Sequence, residues 1–328
     1  MAILITGGAG YIGSHTAWEL KDQGRDIVIY DNLSRGHRQA VKDMPLVVGD
    51  LMDTELLEKT IEEYNVDSVI HFAAESQVGE SMADPQKYYI NNVSGTLSLL
   101  KAMKEKNVNK IVFSSTAATY GEPERIPIDE DSAKNPTSVY GRTKLMMEQI
   151  LTDYDMAYGL KFVALRYFNA AGAHISGKIG EDHAPETHLI PIIMQVLLGQ
   201  RDEISIFGTD YPTPDGTCIR DYIHVTDLAQ AHILALDALY DGMESKIYNL
   251  GNGNGFSVKE VIDTVEKVTG KKIQRVEKGR RPGDPAVLIA SSDKIIKELS
   301  WKPRYNTLEQ IIETAWNWHK NHPNGFDN

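Results

Sequence analysis

Short apolar runs alternate with longer amphipathic segments through the first half of the chain. Six of the runs show little polar alternation, which is typical of strands covered on both faces. These predicted strands are residues 2–6, 26–30, 46–48, 68–72, 110–114 and 161–166. The predicted helices between them are residues 12–22, 54–64, 85–106 and 140–156. Alternation of this kind predicts an α/β fold with a doubly wound parallel sheet.

The regular alternation breaks after about residue 170, which predicts a second, smaller lobe. Glycine, proline and charged residues become frequent, and a further helix is expected at 189–198. A helix and a strand near 225–250 are expected to return to the main sheet. We therefore expect a nucleotide-binding domain over residues 1–170 with those returning segments, and a C-terminal substrate-binding lobe mainly over residues 171–328.

Composition narrows the classes of protein to which the chain can belong. With 328 residues it is long enough for a large core and two lobes. Its net charge of −12 argues against general affinity for nucleic acid or an anionic membrane surface. One cysteine, Cys218, excludes an internal disulfide framework and fits a reducing compartment. With no apolar run near membrane-spanning length, we expect a soluble, cytoplasmic protein.

Three glycines follow the first predicted strand and open the first predicted helix: Gly7, Gly10 and Gly13. In such a loop the first glycine allows a tight turn, the second lets the backbone approach a pyrophosphate, and the third allows close packing of the helix. The N terminus of the helix then offers free N–H groups to phosphates. The pattern and its position predict a dinucleotide site.

A carboxylate at the end of the second strand points to the identity of the dinucleotide. Asp31 lies close to the position where a residue that binds the ribose 2′-hydroxyl is expected. A carboxylate there repels a 2′-phosphate, so NAD is favoured over NADP, although Arg35 and Arg38 lie nearby in the sequence.

Other strand ends carry further candidates for cofactor contacts. Asp50 ends the third strand, where it either meets the adenine or serves as a turn or helix cap. Phe72-Ala-Ala74 places small residues where backbone passes close to a cofactor. Asn91 and Asn92 lie inside a predicted helix, an unfavourable place for asparagine, so each is expected either to bond toward the cofactor or to serve as a core amide.

Tyr140 and Lys144 form a candidate catalytic pair, because residues four apart on a helix share a face. A neighbouring ammonium favours the phenolate and lowers the pKa of a tyrosine from its usual value of about 10. The product is a usable general base near neutral pH. The same spacing is common on solvent-exposed helix faces, and only the glycine loop favours the catalytic interpretation.

Six motifs together resemble the extended short-chain dehydrogenase/reductase family, and within it the enzymes that epimerise nucleotide-linked hexoses at C4. They are Gly7-Gly-Ala-Gly-Tyr-Ile-Gly-Ser-His15, Phe113-Ser-Ser-Thr116, Tyr140-Gly-Arg-Thr-Lys144, Arg166-Tyr-Phe-Asn169, Gly216-Thr-Cys-Ile-Arg-Asp-Tyr-Ile-His-Val225 and Arg281-Pro-Gly-Asp284. The similarity runs nearly end to end. It implies a Rossmann-type sheet, a bound NAD, a UDP-hexose substrate of the glucose and galactose series, a 4-keto sugar intermediate and a homodimer.

The resemblance also assigns roles to individual residues. Tyr140 becomes the base that removes the proton of the sugar 4-hydroxyl, and Lys144 binds the nicotinamide ribose. Thr116 is expected to bond the same sugar oxygen, with Ser115 as the alternative if the register shifts by one residue. Catalytic residues are therefore Tyr140, Lys144 and Thr116.

Two larger sets of binding residues follow from the motifs and the resemblance. The predicted cofactor contacts are Gly7, Gly10, Tyr11, Ile12, Gly13, Asp31, Asn32, Ser34, Asp50, Leu51, Phe72, Ala73, Ala74, Asn91, Thr116, Tyr140, Lys144 and Phe168. The predicted substrate contacts are Thr116, Tyr140, Asn169, His188, Leu189, Phe207, Arg220, Tyr222, Arg281, Asp284 and Leu288. Among them, Arg220 and Arg281 suit the diphosphate, since guanidinium pairs well with phosphate oxygens.

The chain departs from the family pattern in two places. Glu75 and Ser76 follow the Phe-Ala segment where several relatives carry a lysine, so a phosphate or cofactor contact is lost or replaced. Leu288 occupies the position of a tyrosine that crowds the sugar 2-position in some relatives. The smaller side chain predicts room for UDP-N-acetylhexosamines as well.

Three rival interpretations lead to different expectations. A nucleotide-sugar 4,6-dehydratase needs an added acid and base beside Thr116, whereas Ala117 and Ala118 cannot move a proton. A non-catalytic NAD-sensing protein would not need the Tyr, Lys and Thr set. His183, Glu186 and His188 have metal-ligand chemistry, but their spacing matches no standard zinc motif, so no metal is predicted.

Overall fold

A parallel sheet of seven strands forms the centre of the computed structural model, which describes residues 1–281 and 284–326. Its strands are β1 (Ala2–Thr6), β2 (Ile27–Asp31), β3 (Leu46–Val48), β4 (Val66–His71), β5 (Lys110–Thr116), β6 (Lys161–Tyr167) and β11 (Lys246–Leu250). They lie in the order β11–β6–β5–β4–β1–β2–β3, with every pair parallel. The predicted doubly wound parallel sheet is confirmed. Because the order reverses between β1 and β4, a ligand crevice is expected at the carboxyl ends of these strands.

Helices cover both faces of this sheet. They are α1 (Tyr11–Asp22), α2 (Thr54–Glu63), α3 (Val78–Ala83), α4 (Pro85–Tyr88), α5 (Gly95–Glu105), α6 (Val139–Tyr158) and α8 (Val225–Tyr240), with short 3₁₀ turns at Arg38–Val41 and Ala117–Thr119. Alternate residues of each strand point to opposite faces. Ile3 and Ile5 accordingly join a core cluster with α1 and α8, whereas Leu4 joins another with α2, α5 and α6. Burial on both faces explains the unbroken apolar runs of the sequence.

The helix predicted at 85–106 is interrupted. A π-helical segment, Tyr89–Ser94, separates α4 from α5. The buried side chain of Asn92 explains the interruption, because its amide accepts from the N–H of Glu75 at 2.9 Å and donates to the carbonyl of Glu75 at 3.0 Å. A π-bulge is frequent at functional sites. Here it ties the helix to the loop after β4.

The rest of the chain forms short strands and helices around a third apolar cluster. Its elements are β7 (Asn169–Ala171), α7 (Leu189–Leu197), β8 (Ile204–Phe207), β9 (Ile219–Arg220), β10 (Tyr222–His224), β12 (Phe256–Ser257), α9 (Val258–Thr269), β13 (Arg275–Lys278), β14 (Val287–Leu288), α10 (Asp293–Leu299) and α11 (Leu308–Asn321). Three small sheets form, β12–β9–β14, β13–β8 and β10–β7. Two elements from the same half of the chain return to the main sheet, as predicted. Helix α8 packs on α1, and strand β11 extends the sheet beside β6. Across residues 1–281 and 284–326, no helix is both long and apolar enough to cross a membrane.

Candidate active site

A cavity of about 680 Å³ opens at the carboxyl edge of the parallel sheet, and both the sheet domain and the later segments line it. The predicted residues on its wall are Gly7, Gly10, Tyr11, Ile12, Gly13, Asp31, Asn32, Ser34, Asp50, Leu51, Phe72, Ala73, Ala74, Asn91, Thr116, Tyr140, Lys144, Phe168, Asn169, His188, Arg220, Arg281, Asp284 and Leu288. The position agrees with the crevice expected where the strand order reverses. Pro282 and Gly283, the middle of one motif, lie outside the described residues.

Three predicted substrate contacts lie behind this wall. Tyr222 is buried in the apolar cluster of the smaller lobe, and Leu189 packs against the same cluster. Phe207 presents its ring to the guanidinium of Arg281, whose central carbon is 3.9 Å from the ring centroid. Motif position marked these residues, and their contact with the substrate stays a prediction.

The glycine loop has the close contacts that its pattern predicts. Gly7 has a φ of +70°, and a Cβ there would lie 2.5 Å from the nitrogen of Ala73. A Cβ on Gly13 would lie 2.3 Å from the carbonyl oxygen of Gly7. At Gly10 the nearest atom to an added Cβ is 3.4 Å away, an ordinary contact. Packing within the protein therefore requires Gly7 and Gly13, while Gly10 leaves open surface at the N terminus of α1 for a phosphate.

Asp31 ends β2 with a buried side chain on the wall of the cleft. Its carboxylate accepts from the N–H groups of Ala9 and Leu33, at 2.9 Å and 2.8 Å. Burial raises the pKa of this carboxyl, and the two backbone donors act in the opposite direction. The residue thus shapes the loop and presents acceptor oxygens to the cleft, as a ribose-binding carboxylate requires.

Arg35, one of the two arginines that could have bound a 2′-phosphate, is paired with other protein groups. Arg35 donates to the carbonyl of Ala184 at 2.6 Å and lies 3.6 Å from Glu75 and 3.4 Å from Glu80. Arg38 is an exposed residue outside the cleft wall. With Arg35 paired to two carboxylates, the arrangement favours a free 2′-hydroxyl and hence NAD.

Asp50 has the turn role that the sequence offered, and it also lies where an adenine contact stays a prediction. It lies on the cleft wall, and its carboxylate accepts from the N–H of Met52 and from the amide of Asn32, each at 2.9 Å. The first bond stabilises a turn, and the second fixes Asn32 in the cleft. Asn91 also reaches the cleft, held by a 2.9 Å bond to the side chain of Asn92.

The end of β5 brings Thr116, and not Ser115, to the cleft. Thr116 lines the cleft, and its side chain acts to lower the pKa of Tyr140. Ser115, on the opposite face of the strand, is fully buried and donates to Glu148 at 2.5 Å. Tyr140 lies in the first turn of α6, where Ser138 caps the helix by accepting from Gly141 at 3.1 Å. Thr116 is therefore the hydroxyl that the structure brings to Tyr140.

The predicted effect of Lys144 on the tyrosine is wrong for the protein alone. Burial raises the pKa of Tyr140 to about 12, against the smaller opposite effect of Thr116. Burial also lowers the pKa of Lys144 to about 7, although Glu148 opposes the change. The Lys144 Nζ lies 5.9 Å from the centre of the Tyr140 ring and donates to the carbonyl of Ser114 at 2.8 Å. Desolvation is the largest cause of the pKa shift of each group.

A second group of charged residues faces the cleft from the smaller lobe. Arg220 pairs with Asp284 and donates to the carbonyl of Ile219 at 2.8 Å. Arg281 lies over Phe207, and Leu288 occupies β14 directly opposite Arg220 on β9. Two guanidinium groups near one carboxylate leave net positive charge, which suits a diphosphate.

Four further residues on and beside the wall form a compact cluster: Glu181, His183, Glu186 and His188. Burial would lower the pKa of His183, but contact with the two carboxylates raises it to about 9. The same balance raises the pKa of His188 to about 10. Sequence spacing treated this segment as an ordinary loop, and Glu181 was missed.

Other wall residues were also missed by the sequence analysis. Ser114 and Tyr167 lie on neighbouring strands, and their hydroxyls share a hydrogen bond. Residues 75–80 line the cleft, and residues 78–80 belong to the unpredicted helix α3. In place of the missing lysine contact, Glu75 pairs with Lys87 at 3.2 Å, while Ser76 faces the cleft. A short helix with little amphipathic pattern gave no periodic signal.

Comparison with known proteins links this site to one family. The sequence model described as NAD dependent epimerase/dehydratase family matches residues 3–251. The UDP-glucose 4-epimerase of Halalkalibacterium halodurans is 57% identical over 326 residues, which is 99% of this chain and 98% of that protein.

Solved structures agree over nearly the full length. A crystal structure of a UDP-glucose 4-epimerase has a TM-score of 0.98 at 53% identity and covers 100% of both chains. The UDP-glucose 4-epimerase from Bifidobacterium longum, in complex with NAD⁺ and UDP, has a TM-score of 0.93 at 43% identity, covering 99% of this chain and 100% of that one. The UDP-Glc/GlcNAc 4-epimerase from Campylobacter jejuni has a TM-score of 0.86 at 44% identity, covering 98% and 99%.

Proposed function

This chain belongs to the NAD dependent epimerase/dehydratase family, and we propose that it interconverts UDP-glucose and UDP-galactose through a 4-keto sugar. One observation carries the proposal. Tyr140, Thr116 and Lys144 meet in a cleft that the glycine loop and two arginines also line. The first group suits alcohol oxidation, the loop suits a dinucleotide and the arginines suit a diphosphate. Relatives above 50% identity bear the name of this activity.

NAD is the cofactor, and the residues of the cleft fit it. Open surface at Gly10 adjoins the N terminus of α1, where a pyrophosphate is favoured. The Asp31 carboxylate stands at the end of β2, where a ribose hydroxyl is expected. Held by these residues, NAD⁺ would supply a hydride acceptor for the sugar C4 and, once reduced, a hydride donor to the opposite face of the ketone. The cycle consumes no net cofactor.

Tyr140 holds the proton of the sugar 4-hydroxyl. Its burial keeps the phenol neutral, with a pKa of about 12 in the protein alone. For Tyr140 to act as a base, its phenol must first lose a proton, and this requires added positive charge in the cleft. Lys144, whose pKa of about 7 makes it sensitive to its surroundings, is placed to supply part of that charge. Thr116 lines the same cleft and would hydrogen-bond the sugar oxygen that Tyr140 shares.

Inversion at C4 also requires that the protein bind the diphosphate firmly and leave the sugar free to rotate. Arg220 and Arg281 hold the diphosphate, and Asn169 and Asp284 take polar positions beside it. Ala117 and Ala118 line the sugar end with methyl groups, which leave the keto sugar free to turn over. The same two alanines supply no acid or base for elimination of water, so the products are epimers, as distinct from a dehydrated sugar.

We extend the substrate range to UDP-N-acetylhexosamines on the basis of Leu288. This residue lines the cleft from β14 and is half-buried. A leucine occupies less space than the tyrosine of some relatives, and a relative at 44% identity is named as a UDP-Glc/GlcNAc 4-epimerase. An acetamido group at the sugar 2-position would fill the remaining space.

The two-lobe division follows from this chemistry. Residues 1–170, with the returning segments near 225–250, hold NAD, and residues 171–328 hold mainly the UDP-sugar. The cleft between them is lined from both sides. We assign the protein to the cytoplasm, which suits the buried free thiol of Cys218.

A homodimer is the proposed assembly. Tyr89, Ile90, Leu97 and Met146 expose apolar side chains on the neighbouring π-helical segment, α5 and α6. Such a patch suits a second copy of the chain. Light scattering should give the mass of two 36.6 kDa chains. Leu97→Glu should give the mass of one chain, whereas Met156→Glu, at the far end of α6, should not; a monomeric native protein would reject the proposal.

The main proposal is tested without adding cofactor. Purified protein should release about one NAD per chain on denaturation, and the native protein should convert UDP-galactose to UDP-glucose with no added dinucleotide. Dependence on stoichiometric NADP, or a dehydrated sugar product, would contradict it.

A further inference from the structure

Four potential metal ligands converge in the loop that precedes α7. The Nδ1 atom of His188 lies 2.7 Å from Glu181 Oε1 and 3.4 Å from Glu186 Oε1. The Nδ1 atom of His183 lies 3.3 Å from Glu181 Oε1 and 3.7 Å from Glu186 Oε2. One donor atom from each residue lies within 4.8 Å of all the others. Two imidazoles and two carboxylates thus surround one point.

The separations match a four-coordinate site. Bonds of 2.0–2.2 Å from a tetrahedral zinc ion to nitrogen and oxygen place neighbouring ligand atoms about 3.3–3.6 Å apart. The four imidazole–carboxylate distances of this cluster, from 2.7 Å to 3.7 Å, bracket that range. Shifts of a few tenths of an ångström would complete the geometry.

Two buried atoms at the centre are unsatisfied by the protein. Glu181 is 4% exposed, and its Oε1 has no hydrogen bond within residues 1–281 and 284–326. The Nδ1 of His183 also makes no hydrogen bond to any of the described residues. Although nitrogen and oxygen approach each other closely, their directions are not those of hydrogen bonds. A buried polar atom that makes no hydrogen bond is costly, and both atoms point to a shared cation between them.

Neighbouring groups hold the ligands in place. Glu186 Oε1 accepts from the N–H groups of Thr187 and His188, at 2.7 Å and 2.8 Å. The indole of Trp318 donates to the carbonyl of Glu181 at 3.1 Å. Supporting bonds of this kind orient the ligands of metal sites. The cluster is therefore built into the fold instead of being a chance meeting of surface side chains.

We propose that Glu181, His183, Glu186 and His188 bind one divalent cation of the zinc class. Two carboxylates and two neutral imidazoles around a dication leave no net charge, which removes the cost of burying two anions. Nitrogen and oxygen donors of this kind are those that zinc accepts. The cation acts structurally, because it fixes the cleft residues Glu181, His183 and His188 to the start of α7.

The cluster lies in the wall of the cleft, but the proposed proton and hydride transfers use Tyr140 and NAD and do not pass through the cation. The cation joins the loop before α7 to the wall next to Tyr11, whose ring meets that of His183 edge-on at 6.2 Å. Its removal should loosen the substrate lobe and leave NAD in place. Loss of metal is therefore distinguishable from loss of the chemistry.

The test uses tag-free protein with its cofactor retained. After treatment with a chelator and dialysis, zinc chloride is titrated by calorimetry, and zinc is counted by mass spectrometry. We expect one zinc per chain and a higher unfolding temperature on binding. X-ray absorption at the zinc edge should show a shell of nitrogen and oxygen only. Absence of stoichiometric binding to the native protein would overturn the proposal in favour of carboxylate–imidazolium pairs.

Variants locate the site. His183→Gln and Glu181→Gln should each bind zinc at least about tenfold more weakly, since a single ligand is lost. Glu203→Gln, an exposed carboxylate outside the cluster, is the matched control and should bind zinc like the native chain. If both cluster variants retain native affinity, or if zinc binds with sulfur in its shell, the assignment is wrong.

Discussion

The guanidinium of Arg166 and the carboxylate of Glu148 form a two-pronged ion pair inside the protein, one helical turn beyond Lys144. Arg166 Nε donates to Glu148 Oε1 at 2.8 Å and Nη2 to Oε2 at 2.5 Å, with both side chains at most 3% exposed. Glu148 also accepts from Ser115, the neighbour of Thr116 on β5. The pair therefore holds α6 against β5 and β6, and so sets the distance between the proposed base and its partner.

Removal of one half of this pair should be strongly destabilising. Arg166→Met leaves the Glu148 carboxylate buried without its cation, so the free energy of unfolding should fall by about 3–5 kcal/mol. Chemical denaturation monitored by circular dichroism measures the change. The double variant Arg166→Met, Glu148→Met removes both charges and should lose much less. An equal loss in single and double variants would show that packing, and not charge, carries the effect.

Tyr140→Phe should separate catalysis from cofactor binding. The change removes one oxygen atom and keeps the ring, so kcat should fall by about 10²–10⁴-fold while bound NAD stays near the native amount. Turnover of UDP-galactose and release of NAD on denaturation provide the two readouts. Tyr158→Phe, on the exposed end of the same helix, is the control and should leave kcat unchanged. Near-native kcat in Tyr140→Phe would remove this residue as the base.

Leu288→Tyr should narrow the choice of sugar. The larger side chain would enter the space assigned to the acetamido group, and kcat/KM for UDP-N-acetylgalactosamine should fall by about 10–200-fold relative to that for UDP-galactose. Val287→Ile adds volume at the neighbouring position of β14, where side chains point to the other face of the strand, and should leave the ratio unchanged. If the native protein already rejects the N-acetylated sugar, the assignment of Leu288 fails.

A buried histidine should make stability depend on pH. His232 packs against Phe72 and Tyr167, and burial lowers its pKa to about 4. Between pH 6.5 and 4 the unfolded chain binds this proton and the folded chain does not. The free energy of unfolding therefore decreases as the pH is lowered from 6.5 to 4, by about 1.4 kcal/mol per pH unit for one such group.

His232→Gln should reduce that slope by the contribution of one group. Urea denaturation at several values between pH 5 and 7.5 measures it. Leu236→Val, one turn further along α8, is the packing control, because it should lower stability equally at every pH. Identical slopes in the native and His232→Gln proteins would place the acid sensitivity in other groups.

Local patterns in the sequence carried much of the fold. The strands and their parallel arrangement were predicted because burial on both faces leaves an unbroken apolar run, which needs no knowledge of distant residues. Gly7 and Gly13 were identified because a close backbone approach accepts only glycine. The interruption at Tyr89–Ser94 was not predicted, since the reason for it is a bond between Asn92 and the distant backbone of Glu75.

The sequence alone determined the types of groups in the site: a phenol, an ammonium, a glycine loop and two arginines. Tertiary structure decided how they act. It chose Thr116 over Ser115 by strand orientation, engaged Arg35 with carboxylates, and drew Glu181 and His188 to one point. It also reversed the predicted pKa shift of Tyr140, because desolvation depends on everything packed around a group. Spacing along a chain fixes neighbours within a helical turn, whereas burial and distance between segments exist only once the chain has folded.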